Sequence, residues 1–349
     1  MTGRHPEQAC VVTSAVLAET ELGFAVAGAR SRLLGLIPVL SFAMLAICGG
    51  SLNAAGGAYA SIPGGAHNTA SGNNASVGGG SWNSALADFG TIAGGGPSDA
   101  SDDGTSAATN NRVFDRWGTI GGGGNNRAGS DDGNPSSAYY CTVGGGKLNA
   151  ASGYASTISG GDSNNAPGSN SFVGGGAGNM ASGLQSAVLG GYGNTASGEG
   201  SMVGGGFHCV AIGDHATVGG GTTNYAMGAY AALAGGSFNL VEGQFGFIGA
   251  GQFNLASATN ASVGGGDSNE AAGVSSFVGG GYSNHALGAS GTVAGGQQNY
   301  AGGGQSAVGG GIGNQANGAG ATVPGGTFNL ADGAASFAAG HGAHAAHDN

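Results

Sequence analysis

His208, Asp214 and His215 fall close together in sequence, a trio whose imidazole and carboxylate donors could hold a transition metal. His341, His344 and His347 repeat at a three-residue spacing near the C-terminus and could chelate one from a flexible tail. Ser101-Asp102-Asp103-Gly104 and Ser130-Asp131-Asp132-Gly133 echo each other, and paired carboxylates on turns are Ca²⁺ ligands. Each group also reads as plain turn or chain-end chemistry, and spacing alone favours that reading. Catalysis has less support still. The chain holds no G-x-S-x-G and no H-E-x-x-H, and its G-x-G fragments recur as repeat glycines rather than as one phosphate loop after a strand. The expectation is a protein that is not an enzyme, with no catalytic residue, metal, cofactor or small-molecule substrate.

Recognition has better candidates. Arg112, Phe114, Asp115, Arg116, Trp117, Tyr139 and Tyr140 form the densest aromatic and charged set in the chain. Arg112, Arg116, Trp117, Tyr139 and Tyr140 are the candidate ligand-binding residues, since rigid aromatics and forked guanidinium donors dominate binding hot spots. They suit an extracellular protein or a glycan. The triplet Phe-Asn-Leu occurs at 238–240, 253–255 and 328–330. If its Asn points inward, Phe238, Leu240, Phe253, Leu255, Phe328 and Leu330 point outward and are candidates for a homo-oligomer interface.

These residues sit on a strict 15-residue period. An Asn recurs at 149, 164, 179, 194, 224, 239, 254, 269, 284, 299, 314 and 329, with Cys209 as the exception and His344 as the last slot. Asn53, Asn68 and Asn83 keep the same step, Ser98 fills the next place, and Asn126 follows, giving 19 slots. Ala stands two places after the slot and Val or Ile nine places after it, with few exceptions such as Leu233 and Ala338. With the slot as position 0, positions 0, 2 and 4 alternate with variable residues, and so do positions 7, 9 and 11. Period-two alternation marks strands with one buried face.

Turns then fall near positions 5–6 and 12–14, the second rich in glycine. The fold class is all-β: a parallel β-roll, or β-solenoid, of 15-residue coils with two short strands each. Its core is thin, contributing about 2–3 kcal/mol per coil from one Val plus Ala, so backbone ladders and stacked asparagines must supply the remainder. In this phase the units at Ser98 and Asn126 are longer by 13 and 8 residues. The extra chain, near 102–117 and 130–140, enters both at the turn after position 4. Two adjacent loops would then carry the recognition residues side by side on a roll spanning 53–349.

Residues 1–52 lie outside the repeat and read as an N-terminal extension and signal peptide. Arg30 and Arg32 precede the apolar run Leu33–Cys48, and Ala58-Tyr59-Ala60 offers a small-residue cleavage box. That implies a secreted or cell-surface protein. Cys10 and Cys48 would leave with the signal, and Cys141 and Cys209 lie several coils apart, too far to bridge. A formal net charge of −11 argues against nucleic-acid partners.

The repeat resembles the head repeats of the YadA-like trimeric autotransporter adhesins. The resemblance is carried by Val210-Ala211-Ile212-Gly213-Asp214-His215-Ala216 and by N-x-A-x-G units such as Asn194-Thr195-Ala196-Ser197-Gly198, and it covers about 53–349. It implies a left-handed roll, assembled as a trimer and working in adhesion at a bacterial surface. The chain departs from that pattern in its uniform period with an added Gly-Gly, and in ending on HGAHAAHDN without a heptad stalk or a run of anchor strands. The alternative is ice binding, because Asn- and Thr-bearing rolls also resemble plant antifreeze proteins. That needs a regular hydroxyl file, and position 8 reads Thr91, Thr119, Thr142, Thr157, Phe172, Ala187, Met202, Thr217.

Overall fold

The computed structural model describes residues 45–97 and 110–347, with the backbone of 12–13 and 32–33 besides. The protein is all-β, a parallel β-solenoid of about 19 turns with two short strands per coil. It divides into two compact units, Met1–Asn179 and Met180–Asn349, built from the same coil.

In each coil the first strand occupies positions 1–2 and the second positions 8–9, as in Leu255–Ala256 and Ser262–Val263. Successive first strands pair in parallel with no slip, for example Leu240↔Leu255 and Leu255↔Glu270 in the second unit. Second strands do likewise, as in Thr119↔Thr142 and Ile120↔Val143 in the first. The flanking turns limit each strand to two residues, and small inward side chains at positions 0, 2, 4, 7 and 9 let the sheets approach closely. Ala256, Ala261 and Val263 show what that core is made of, all 0% exposed. A third ladder of single-residue bridges runs at position 13, among them Lys147↔Asp162 and Gln252↔Asp267. One residue has no period, so the alternation gave no sign of it.

The asparagine column is continuous inside each unit except at Cys209 and at the last slot, Ala343. The Asn254 side chain donates to Ala250 O at 3.1 Å and Gly266 O at 3.0 Å, and its Oδ1 accepts from the Asn269 amide at 3.0 Å. Each Asn thus closes its own turn and holds the next coil. Cys209 still donates its amide to Asn194 Oδ1 at 2.8 Å, but a thiol offers the next coil no comparable acceptor. The turn before the slot needs glycine at position 12. Gly266, at φ 88°, could not carry a Cβ, which would lie 2.2 Å from Gly281 O and 2.7 Å from Asn269 Nδ2.

The phase near the first insertion differs from the sequence expectation. Asn111, not Ser98, takes the slot after Asn83: Asn111 Nδ2 donates to Asn83 Oδ1 at 3.0 Å, and the Asn126 amide donates to Asn111 Oδ1 at 3.0 Å. Residues 111–125 are therefore an ordinary coil, and Arg112–Val113 is one of its strands. The extra residues precede Asn111, at the corner beside the slot. The second insertion, residues 130–137, enters just before position 4 rather than after it: Ala138 takes the buried position 4 and Tyr140 keeps position 6. The two insertions leave from different corners and do not emerge side by side. Ser98 misled because Ala100 follows it at the right spacing, while the true column there holds Val113. Residues 98–109, with Ser101-Asp102-Asp103-Gly104, lie outside the described residues.

At the C-terminal end the last coil is one residue short. Ala343, not His344, takes the slot, its amide donating to Asn329 Oδ1 at 3.0 Å, and His344 pairs with Leu330. Upstream of Asn53 the ladders continue into the segment expected to be extension. Arg32–Leu33 pairs with Ala54–Ala55, and Ala46 with Ser61. Cys48 is disulfide-bonded. Most of the expected signal segment, including Arg30 and residues 34–44, lies outside the described residues.

A candidate binding strip at a left-handed corner

Position 6 of each coil adopts left-handed backbone, whichever residue stands there. Phe89 (φ 58°), Trp117 (φ 57°) and Tyr140 (φ 63°) all do. Such angles cost an ordinary residue roughly 1–2 kcal/mol. Two backbone bonds offset that here. The amide of position 7 closes the turn onto position 4, as Gly118 N does to Asp115 O at 3.2 Å. The amide of position 6 reaches one coil back, Trp117 N to Asp88 O at 3.2 Å and Tyr140 N to Arg116 O at 3.3 Å.

A side chain at this corner points into solvent, and its neighbours sit one coil spacing away. Rings in successive coils must therefore stack. Phe89 and Trp117 lie 5.5 Å apart at 5°, and Trp117 and Tyr140 lie 5.1 Å apart at 18°. Offset stacking at these distances contributes about 0.5–1.5 kcal/mol per pair beyond burial. Tyr139 and Tyr154, at position 5 of adjoining coils, meet edge-on at 6.4 Å, and Tyr139 meets Trp117 edge-on at 5.5 Å. The strip stays open to solvent: Phe89 is 45% exposed, Trp117 39% and Tyr140 48%. Arg116 borders it, its Nε 3.5 Å from Asp88 Oδ2.

Asp115 ties the second insertion to this corner. Its buried carboxylate stands where most coils have Gly or Ala, and it accepts the amides of Ser130 at 2.7 Å and Ser137 at 3.2 Å. The Arg116 amide donates to Pro135 O at 3.1 Å. In the loop, Asp132 caps the Asn134 amide at 2.8 Å, and that bond with others holds its carboxyl below the usual range.

Of the five candidate binding residues, Arg116, Trp117, Tyr139 and Tyr140 are brought together. Arg112 is not among them. It sits at position 1 on the outer face of the first strands, paired in register with Arg127, its guanidinium 5.3 Å over the Phe114 ring. Burial first, then the like charge of Arg127, lowers its pKa, and Asp131 of the insertion opposes them.

The apolar triplets behave as two groups within the second unit. Phe238 and Phe253 occupy the other left-handed corner, at position 14, and stack 5.2 Å apart at 11°. Leu240 and Leu255 are register partners beside them. Phe328 and Leu330 stand five coils on and do not join that patch. Phe238, Phe253 and Phe328 are 50%, 56% and 63% exposed, while the leucines are half-buried.

The histidine trio is split. His208 lies at the position-14 corner against Phe207, and His215 at the position-6 corner stacked 4.9 Å from Tyr230. Asp214 Oδ1 accepts the Glu199 amide at 3.1 Å. At the C-terminal end, His344 Nε2 meets Asp332 Oδ2 at 3.0 Å and His341 meets Thr327. No group of three or more such donors lies together among the described residues. Cys141 and Cys209 are buried and free, and burial pushes the Cys141 thiol up.

Sequence reasoning missed a second aromatic file, His215–Tyr230–Phe245, whose rings follow each other at 4.9 and 5.1 Å. Its signal was present as aromatic residues 15 apart, but it needed the corner geometry to be recognised. No family model matches the chain, and no curated protein matches it.

Proposed function

We propose that this protein is an adhesin-like structural protein, secreted or held at a cell surface, that binds an extracellular protein or glycan along its position-6 corner. The observation that carries the proposal is the exposed stack Phe89–Trp117–Tyr140, bordered by Arg116 and the edge-on tyrosines. Solvent exposure of three successive rings has no use in the core. It provides rigid apolar area with little entropy left to lose, flanked by a forked donor, the composition of binding hot spots. The exposed Phe238 and Phe253, beside half-buried Leu240 and Leu255, support self-association. The trimer is the form that the resemblance to YadA-like heads implies.

The test is binding of the purified full chain to immobilised extracellular proteins and glycans, beside Trp117→Ser with Tyr140→Ser. Both side chains point outward, so the variant keeps its β circular dichroism. Loss of binding supports the strip, and undiminished binding by the variant removes it.

One observation favours the second reading, ice binding. Thr91, Thr119, Thr142 and Thr157 stand in unbroken register on the outer face of the second strands of the first unit. Phe172 ends the file. Thermal hysteresis by the purified protein would move the function to that face.

A further inference from the structure

Between the apolar triplets at 253–255 and 328–330, three coils carry polar residues on either side of the buried slot, Ser268 and Glu270, Ser283 and His285, Gln298 and Tyr300, and a fourth carries Gly313 and Gln315. A shallow depression of about 470 Å³ opens there, lined by Ser283, His285, Gln298, Tyr300 and Gln315. Its one aromatic lining residue is Tyr300. The Tyr300 ring leans over Gly302, where a Cβ would clash with ring atom Cε1 at 2.4 Å. Further along, Phe328 leans over Gly313 in the same way. The His285 ring is fixed by its Nδ1, 2.9 Å from Glu270 Oε2, and lies 6.5 Å from the Tyr300 ring.

We propose that this depression is a binding site for a neutral saccharide, taking one or two pyranose rings against Tyr300. The glutamine amides each present donors and an acceptor, Ser283 presents a hydroxyl, and His285 keeps its second ring nitrogen free of the Glu270 contact. Such paired donors and acceptors match vicinal sugar hydroxyls, and the tyrosine face takes the apolar side of the ring. The charge pattern selects against anions. No Lys or Arg follows position 147 in the sequence, whereas Glu270 stands at the rim. The site is separate from the strip around Trp117 and does not rest on it.

The test is saturation-transfer NMR on the full chain, with methyl α-D-glucopyranoside, methyl β-D-galactopyranoside, chitotriose and glucuronate as probes. Transfer to at least one neutral sugar is expected, with less to glucuronate. Tyr300→Ala should abolish it. Gln298→Gly should weaken it without harming the fold, because Gln298 sits at φ 54°, an angle glycine accepts freely. Tyr282→Ala, at an exposed ring outside the depression, should leave it intact. Absence of transfer to every neutral sugar overturns the proposal, as does a signal that survives Tyr300→Ala or a preference for glucuronate. Trp117→Ser with Tyr140→Ser leaves this signal unchanged, so the two sites succeed or fail independently.

Discussion

Replacing one ladder asparagine tests what holds the coils together. Asn254 is 1% exposed. In Asn254→Ala the Asn269 amide loses its acceptor and Ala250 O loses its donor, while Gly266 O keeps the Gln252 amide at 2.9 Å. The Asn269 amide is left buried without its acceptor, at about 1–3 kcal/mol, whereas Ala250 is exposed and its carbonyl can turn to water. The expected loss is therefore about 1–3 kcal/mol, large for a change that removes only one amide group. Asn254→Asp separates acceptor from donor. It keeps an oxygen for the Asn269 amide but turns the other toward Ala250 O, Gly266 O and Asn239 Oδ1, all acceptors within 3.1 Å. Burial and those acceptors raise the carboxyl's folded pKa above its unfolded value near about 3.9. With the folded pKa raised, stability is present below the unfolded value and is lost as pH rises through the folded one.

Asn254→Asp should accordingly approach the wild type near pH 3 and fall increasingly behind it toward neutrality. Denaturant melts at matched pH give the difference, and hydrogen exchange should show loosening centred on coils 239–283, since solenoid stability is nearly one-dimensional. An Asn254→Ala melt that superimposes on the wild type refutes the ladder argument. An Asn254→Asp deficit independent of pH refutes its electrostatic part.

Three further outcomes are expected. Val263→Asp places a lone carboxylate at a 0% exposed site between two thin sheets and should cost about 3 kcal/mol or more, read by thermal melting. Phe253→Ser with Leu255→Ser should shift the sedimenting species toward monomer with its β circular dichroism retained; a wild type that is already monomeric at micromolar concentration counts against the interface. Deleting residues 130–137 should destabilise the first unit, because Asp115 loses the Ser130 and Ser137 amides, and adding Asp115→Gly should restore the melt.

The period, the inward columns and the asparagine ladder were legible in the sequence because every coil repeats them: Asn254, Ala256 and Val263 recur as Asn269, Ala271 and Val278. The candidate strip was legible in composition and only partly in place. Trp117 and Tyr140 meet not because inserted loops display them but because both stand at position 6 of adjoining coils. Bulky residues at left-handed angles contradict local preference, and the bonds that hold them come from the preceding coil, which no local pattern reports. The error at Ser98 was of another kind. One chance Ala100 imitated the repeat, whereas the contact that decides the phase joins Asn83 to Asn111 across 28 residues. The depression at Tyr300 had no motif at all, since its lining residues come from positions 14 and 1 of neighbouring coils.

The in-register coil also shapes how such a gene can change. An in-frame duplication spanning one unit inserts a segment that finds a template on both sides, with its asparagine already in line. Copy number can drift with little harm to folding, and lineages should differ in length by whole units more readily than by fragments. Exposed side chains are copied with the unit, so one duplication lengthens an aromatic file by one ring. Affinity for an extended partner could therefore be tuned by recombination as well as by substitution.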